Sequence, residues 1–138
     1  NLKVTLLITQ TNDLLDVTVS NGSEHDINVI PKIYKKLTKT YKSNKKHRVN
    51  IIGDKGYTSD DIKKSFAKHK MHYIIPPKKN KKSVDEYKWY DITLLKKRHL
   101  IENYFAHLKQ YTRIKFLYDK LVYIYEGFLM LSILCLFK

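Results

Sequence analysis

Val49-Asn50-Ile51-Ile52-Gly53-Asp54 is the stretch that decides the fold, because a short apolar run ends abruptly at a glycine and a carboxylate. A β-branched run of this length predicts a buried strand. A second such run, Met71-His72-Tyr73-Ile74-Ile75, follows a helical segment and is ended by Pro76-Pro77. Strands joined through a helix favour parallel pairing, and open α/β sheets carry their sites at the carboxyl ends of such strands. The pattern predicts an α/β fold with Asp54 at the functional edge.

The helix between these two strands is predicted from its capping residues and its apolar face. Thr58 and Asp61 have the spacing of a capping box in which Asp replaces the usual Glu. Ile62, Phe66 and His69 recur at helical spacing, so we expect all three on the inner face of this helix.

The chain upstream of this unit predicts a β-hairpin followed by a helix. Two alternating runs, separated by a polar turn at Thr11-Asn12-Asp13, place the apolar residues of each strand on one face: Leu2, Val4, Leu6, Ile8, and Leu15, Val17, Val19. Asp26 is the predicted cap of the helix that follows. The apolar face of that helix comprises Ile30, Ile33, Tyr34, Leu37 and Tyr41.

The chain downstream is predicted to be mainly helical from about Leu94 onward. Its last part, Gly127 to Phe137, is apolar on all sides, which predicts a buried helix. That run is shorter than the roughly 20 residues that a membrane-spanning helix needs. The single cysteine, Cys135, lies in this run, so we expect it in the core and predict no internal disulfide.

Composition indicates a polyanionic partner. The chain has 138 residues, with 27 Lys plus Arg against 13 Asp plus Glu and a net charge of +14. This length predicts one domain, residues 1–138. A basic excess of this size favours contact with nucleic-acid phosphates, although a generally Lys-rich composition is the simpler explanation. The sequence shows no secretory signal, so we expect a cytoplasmic, nucleoid-associated protein.

A second functional stretch is Arg98-His-Leu-Ile-Glu102-Asn-Tyr-Phe-Ala-His-Leu-Lys109. On a helix, Arg98 and Glu102 lie one turn apart and Lys109 lies two turns beyond Glu102. One face would then carry a cation, a carboxylate and a second cation. Such a carboxylate can hold a divalent metal while its neighbours hold phosphates. The simpler alternatives are an ordinary Arg98–Glu102 pair on a solvated face and a turn-capping role for Asp54.

In their order along the chain, these motifs resemble the DDE transposases of bacterial insertion sequences, and the insertion-sequence-four/five superfamily most of all. The resemblance covers nearly the whole chain. It rests on Gly22 to His25-Asp26, Gly53-Asp54-Lys55-Gly56-Tyr57, Ile75-Pro76-Pro77 with its basic tail, Arg98 to Asn103 with Lys109, and Tyr118-Asp119-Lys120-Leu121.

The resemblance implies a ribonuclease-H-like mixed sheet flanked by helices, with three carboxylates that bind two Mg²⁺ or Mn²⁺ ions. Asp54 matches the second carboxylate and Glu102 the third. Arg98, Glu102 and Lys109 match three positions of the family's Tyr-Arg-Glu-Lys signature, whereas Leu95 occupies the Tyr position. The oxygens of Asp54 and Glu102 are therefore predicted to converge to roughly 4–8 Å.

The family's first carboxylate has no counterpart in these residues. It is an Asp on the first strand, whereas Asp13 and Asp16 fall in the turn and in the following strand. We therefore expect that the first strand is missing, that the chain is the C-terminal part of a longer or frameshifted transposase, and that it is inactive alone. Such a sheet would lack its central strand and would have to split, pair across the gap or recruit a strand from another chain.

The remaining candidates concern DNA. Arg98 and Lys109 are predicted to hold phosphates of double-stranded DNA, and so are four cations of a basic loop, for which a solvated surface is the alternative: Lys78, Lys79, Lys81 and Lys82. Trp89 and Tyr90 could stack on flipped bases, or simply pack.

The interpretation of the whole sequence is a transposase fragment whose parent cleaves and transfers the ends of an insertion sequence with metal ions. A homodimer is an expected partner, and a membrane is not. Two alternatives stay open. One is a decayed, non-catalytic DNA-binding remnant, and the other is a small basic membrane-associated protein that uses its apolar C-terminal region.

Overall fold

The computed structural model describes residues 2–77, 89–116 and 122–136. The chain divides into two compact units, one of residues 1–24 and 99–138, the other of residues 25–98. The described part contains four strands and six α-helices, together with short 3₁₀ turns. The predicted α/β class is confirmed. None of the described helices has the length and apolar character needed to cross a membrane.

The first unit begins with the predicted hairpin. Strand β1 (Leu2–Ile8) pairs antiparallel with β2 (Leu14–Asn21). The register shifts between Leu7 and Ile8, so that Leu7 lies opposite Asp16 and Ile8 lies opposite Leu14. Placing Leu15 on the apolar face was therefore wrong, because this irregularity puts Leu14 there instead.

Three helices complete the first unit: α4 (His99–Leu108), α5 (Thr112–Phe116) and α6 (Val122–Leu136). One face of the hairpin packs on a buried cluster from α4 and α6. Its members are Tyr104, Leu108, Tyr125, Leu129 and Ile133. Burial of the Tyr104 and Tyr125 side chains raises the pKa of both phenols.

Helix α6 is only half buried, so the prediction of a buried helix was wrong. Tyr125, Leu129 and Ile133 face the core, whereas the relative exposures of Leu131 and Leu134 are 60% and 61%. Cys135 is exposed rather than buried in the core. Because apolar residues occupy every side of this helix, its sequence could not indicate which side the hairpin and α4 would cover.

The second unit contains the predicted parallel pair. Strand β3 (Asn50–Ile52) pairs in parallel with β4 (His72–Ile74), with Ile51 opposite Tyr73. Helix α2 (Asp60–Lys68) connects the two strands, α1 (Ile30–Thr40) precedes them, and α3 (Trp89–Leu95) follows. The two-stranded sheets of the described chain belong to different units. A ribonuclease-H-like arrangement of these strands stays a prediction.

Both predicted helix caps in this unit were wrong. A 3₁₀ turn, Asp26–Val29, precedes α1, so Asp26 lies in that turn and the residue at the cap of α1 is Val29. Ser59 caps α2 by accepting a hydrogen bond from the backbone N–H of Ile62. Either Ser or Thr can cap a helix, and at two adjacent positions the pattern selected the wrong one.

The core of the second unit is centred on Phe66, which is fully buried. Its ring stacks on Tyr73 at 5.2 Å and meets the edge of Tyr34 at 5.0 Å. His69 follows α2 and is exposed, yet its ring meets the edge of Tyr34 at 5.6 Å, so it lies on the predicted side of the helix without being buried. The apolar core extends into α1, into β4 and into the residues that flank β4, through Ile30, Ile33, Leu37, Met71, Ile74 and Ile75.

Candidate functional site

Asp54 lies at the carboxyl end of β3, in a loop that backbone hydrogen bonds hold to β4. The Gly53 N–H donates to the Ile74 carbonyl at 3.2 Å. A 3₁₀ turn, Lys55–Tyr57, follows Asp54. The Tyr73 hydroxyl donates to the Tyr57 carbonyl at 2.6 Å and so ties the turn to the core. The loop is therefore fixed at both ends.

The two oxygens of the Asp54 carboxylate have different surroundings. Oδ1 accepts the Lys55 backbone N–H at 2.7 Å and the Arg98 Nη2 at 3.0 Å. Within residues 2–77, 89–116 and 122–136, Oδ2 accepts no hydrogen bond. The Asp54 side chain is 63% exposed. Asp54 caps its turn, as the simpler alternative supposed, and still presents one open oxygen to solvent.

Gly56 packs closely against Asp26. A Cβ at Gly56 would overlap the Asp26 Oδ2, and the Asp26 Cγ and Cβ would be 3.3 and 3.4 Å away. The Asp26 carboxylate therefore packs directly on the loop that carries Asp54. Sequence reasoning assigned no chemistry to Asp26, because the 29 residues between it and Gly56 give no signal of this contact.

Arg98 lies in the 3₁₀ turn Lys96–Arg98, immediately before α4. Its guanidinium pairs with Asp54, and its side chain is 32% exposed. In the described part of the chain, Glu102 makes no ion pair, so the alternative of an ordinary Arg98–Glu102 pair was wrong. Arg98, although it is close to Glu102 in sequence, thus contacts the loop that carries Asp54.

Glu102 and Lys109 belong to the first unit. Glu102 is exposed in the first turn of α4, and Lys109 is exposed just beyond the end of that helix. Lys109 borders a cavity of about 300 Å³ whose other lining residues are Val4, Phe105, Leu108, Ile114, Tyr125 and Leu129. The convergence of Glu102 with Asp54 stays a prediction.

Comparison with known proteins agrees with these motifs. A family model described as a transposase DDE domain matches residues 1–137. The chain belongs to the transposase DDE-domain family. Neither a curated protein nor a solved structure matches this DDE domain significantly.

The family implies divalent metal ions, and the exposed carboxylates of this DDE domain fit part of such a site. Mg²⁺ and Mn²⁺ prefer carboxylate oxygens, and Asp54 offers an open one. Across the residues that the structure describes, no group of three or more His, Cys, Asp or Glu side chains could hold a metal ion. Among the described residues, Asp54 thus offers one open carboxylate oxygen to a metal, without a complete ligand group around it.

Asp13 and Asp16, the other carboxylates considered from the sequence, both lie in the hairpin. Asp13 accepts hydrogen bonds from the hydroxyls of Thr11 and Thr9, which lower the pKa of its carboxyl group. These bonds hold Asp13 within the hairpin turn. Asp16 lies opposite Leu7 at the irregular end of the β1–β2 pair.

The basic loop with Lys78, Lys79, Lys81 and Lys82 lies outside the described residues, and so does the stretch Tyr118 to Leu121. Trp89 and Tyr90 begin α3, and their side chains also lie outside the description. The predicted DNA contacts of these residues stay predictions.

Sequence reasoning missed a buried polar pair in the DDE domain. His72 Nε2 and Asp91 Oδ1 are 2.6 Å apart, and Asp91 is only 7% exposed. The pair joins β4 to α3, the helix that leads into the turn of Arg98. The two residues are 19 positions apart on either side of the basic loop, so no local pattern links them.

Proposed function

We propose that this DDE domain carries two carboxylates, Asp54 and Glu102, of a transposase that cleaves and joins phosphodiester bonds at the ends of an insertion sequence. The observation that carries the proposal is Asp54 itself. Its carboxylate is exposed at the carboxyl end of a strand in a parallel pair, with one open oxygen and an arginine on the other. The motifs described above favour the insertion-sequence-four/five superfamily.

Asp54 and Glu102 would hold Mg²⁺ or Mn²⁺ through their carboxylate oxygens. When bound, a pair of such ions activates the attacking oxygen and stabilises the leaving oxygen of an in-line displacement at phosphorus. The protein's own contribution at Asp54 is orientation. The fixed loop, the capping bond from Lys55 and the Arg98 guanidinium hold the carboxylate in one direction.

Double-stranded DNA is the proposed partner. Arg98 and Lys109 would hold phosphates near the carboxylates, and the lysines of the basic loop would add contacts that do not depend on sequence. The net charge of +14 supports attraction to a polyanion.

Metal binding tests the proposal directly. Mn²⁺ is titrated into the 138-residue chain, and free Mn²⁺ is followed by electron paramagnetic resonance. Asp54→Asn and Glu102→Gln should each weaken binding by about tenfold or more, because each removes a ligand oxygen charge. Asp60→Asn, an exposed carboxylate on α2, is the matched control and should leave the affinity unchanged. Equal affinity in all four proteins would refute the proposal.

The chain alone should not nick DNA at a useful rate, because neither Asp13 nor Asp16 supplies the family's first carboxylate. The measurement is Mg²⁺- or Mn²⁺-dependent nicking of DNA that carries candidate element ends. Robust nicking that Glu102→Gln abolishes would show that another residue of this chain fills the first position.

A non-catalytic DNA-binding role is the second candidate. It is favoured by the lack, in the described ranges, of a three-residue ligand group. DNA binding that is unaffected by Mg²⁺ and by Asp54→Asn, together with undetectable Mn²⁺ binding, would support this role over the first.

A homodimer is also proposed, and the exposed apolar side of α6 supports it. Tyr123, Leu131 and Leu134 are 60–69% exposed and recur at helical spacing, so they form one stripe. Sedimentation of the wild type and of Leu131→Lys tests the dimer, which the added charge should weaken. Partitioning of the wild type into neutral vesicles, without self-association in solution, would instead support the membrane-associated alternative.

A further inference from the structure

The Asp54–Arg98 contact has a consequence for the order in which metal and DNA bind. An ionised carboxylate oxygen can accept about two hydrogen bonds in its plane. Oδ1 already accepts two, from the Lys55 backbone N–H and from Arg98 Nη2. A divalent ion that uses Oδ1 must therefore displace one of these donors. An ion that binds the open Oδ2 alone still meets the positive charge of Arg98 on the neighbouring oxygen.

Arg98 is the donor that can leave. The Lys55 N–H belongs to the backbone of a turn whose next residues are hydrogen-bonded, since Tyr57 N–H donates to the Asp54 carbonyl at 3.0 Å. The Arg98 side chain is 32% exposed and meets Asp54 through a single nitrogen. A guanidinium presents five N–H donors in a fork that matches two phosphate oxygens. A phosphate can therefore accept two hydrogen bonds from Arg98, whereas Asp54 accepts only one.

On the proposed function, with Asp54 as a metal ligand and DNA as the partner, we infer that Arg98 couples DNA binding to metal loading. Without DNA, the guanidinium occupies Oδ1 and neutralises the carboxylate. A DNA phosphate draws the guanidinium away and leaves Oδ1 open to the metal. Because the coupling between two bound ligands is reciprocal, metal binding also strengthens the binding of the phosphate by Arg98.

The size of the coupling follows from the exposure of the pair. Ion pairs in contact with solvent are weak, so the coupling should change either affinity by roughly 2- to 5-fold. A larger effect would require a buried pair, which Asp54 at 63% exposure does not form.

Lys55 provides a matched control for general electrostatics. It is an exposed cation adjacent to Asp54 in sequence, and only its backbone N–H contacts the carboxylate. Lys55→Ala removes one positive charge from the loop that carries Asp54. Arg98→Ala removes one positive charge from the residue that contacts this loop. Arg98→Lys keeps the charge but loses the fork, and it serves as the second variant if Arg98→Ala does not fold by circular dichroism.

The experiment measures the affinity of the full chain for Mn²⁺ with and without saturating short duplex DNA, after subtraction of Mn²⁺ bound by the duplex alone. DNA should strengthen Mn²⁺ binding by the wild type roughly 2- to 5-fold. Arg98→Ala should bind Mn²⁺ more tightly without DNA and gain less than the wild type when DNA is added. Arg98→Lys should lose most of the DNA-dependent gain, and Lys55→Ala should keep it.

Three results would overturn the inference: no effect of DNA on the wild type, an undiminished effect in Arg98→Ala, or equal losses in Lys55→Ala and Arg98→Ala. Asp54→Asn separates this failure from failure of the proposed function. If Asp54→Asn abolishes Mn²⁺ binding while Arg98→Ala keeps the DNA effect, only the coupling is wrong. If Asp54→Asn binds Mn²⁺ as the wild type does, both are wrong.

Discussion

Gly56→Ala should destabilise the protein through a side-chain clash and not through backbone strain. In the described chain no glycine has a positive φ, so alanine is compatible with the Gly56 backbone. The added methyl group would overlap the Asp26 carboxylate, with two further Asp26 atoms at 3.3 and 3.4 Å. Because the overlapping oxygen ends a side chain that can rotate, the cost should be about 1 kcal/mol, at the low end for overpacking. Gly127→Ala is the matched control: nothing lies within 4 Å of its Cβ, and replacing an exposed helical glycine should stabilise by about 0.5–1 kcal/mol.

Urea unfolding followed by circular dichroism gives both free energies, and the two substitutions should have opposite signs. Adding Asp26→Ala to Gly56→Ala should restore part of the lost stability, because it removes the atoms that clash. Mn²⁺ affinity should also fall in Gly56→Ala, since the displaced loop carries Asp54. A Gly56→Ala protein as stable as the wild type, or a double variant less stable than the sum of its single changes, would refute the packing argument.

Three further predictions concern the surface, the hairpin and the core. DNA binding should fall roughly a hundredfold between 50 and 200 mM salt if about four phosphates are contacted, which filter binding can measure; a flat profile would exclude a phosphate-tracking surface. Thr5→Val should raise the free energy of unfolding by about 1 kcal/mol, because the buried Thr5 hydroxyl has no hydrogen-bond partner in the described structure; a loss of stability would reveal a bound water. Burial and then the nearby Tyr57 raise the pKa of Tyr73, so its stabilising contribution holds below the ordinary tyrosine pKa of about 10 and is lost above it. Unfolding midpoints should therefore drop above pH ~10, and less steeply in Tyr73→Phe.

Local patterns predicted the elements that depend on local physics. The hairpin, the parallel β3–β4 pair and the helical character from Leu94 onward follow from alternation, from strand length and from a helix between two strands. Asp54 was located in the same way, because a carboxylate directly after a strand falls at an edge of the sheet. The prediction that this strand is buried was wrong, since Asn50 is exposed and Ile51 and Ile52 are only partly buried.

The errors arose where several residues satisfy one local rule equally well. Thr58 and Ser59 are both good caps, and the backbone before α2 selects Ser59. Leu14 and Leu15 are equally apolar, and the irregularity opposite Ile8 decides which one faces the core. The apolar sequence of α6 cannot distinguish its packed side from its exposed side, so Cys135 was misplaced. In each case a tertiary contact selects among local equivalents.

The Arg98–Asp54 contact changes the interpretation of the motif around Arg98. The spacing of Arg98, Glu102 and Lys109 suggested one helical face with a shared role. The chain, however, changes from a 3₁₀ turn to an α-helix at His99, which is also where it passes from one compact unit to the other. Arg98 therefore belongs with the loop of Asp54, while Glu102 and Lys109 belong to the unit that contains the hairpin. The regular sequence spacing of Arg98, Glu102 and Lys109 therefore does not show that all three lie on one face of a single helix. The role of Arg98 is therefore better judged from its contact with Asp54 than from its distance to Glu102 along the sequence.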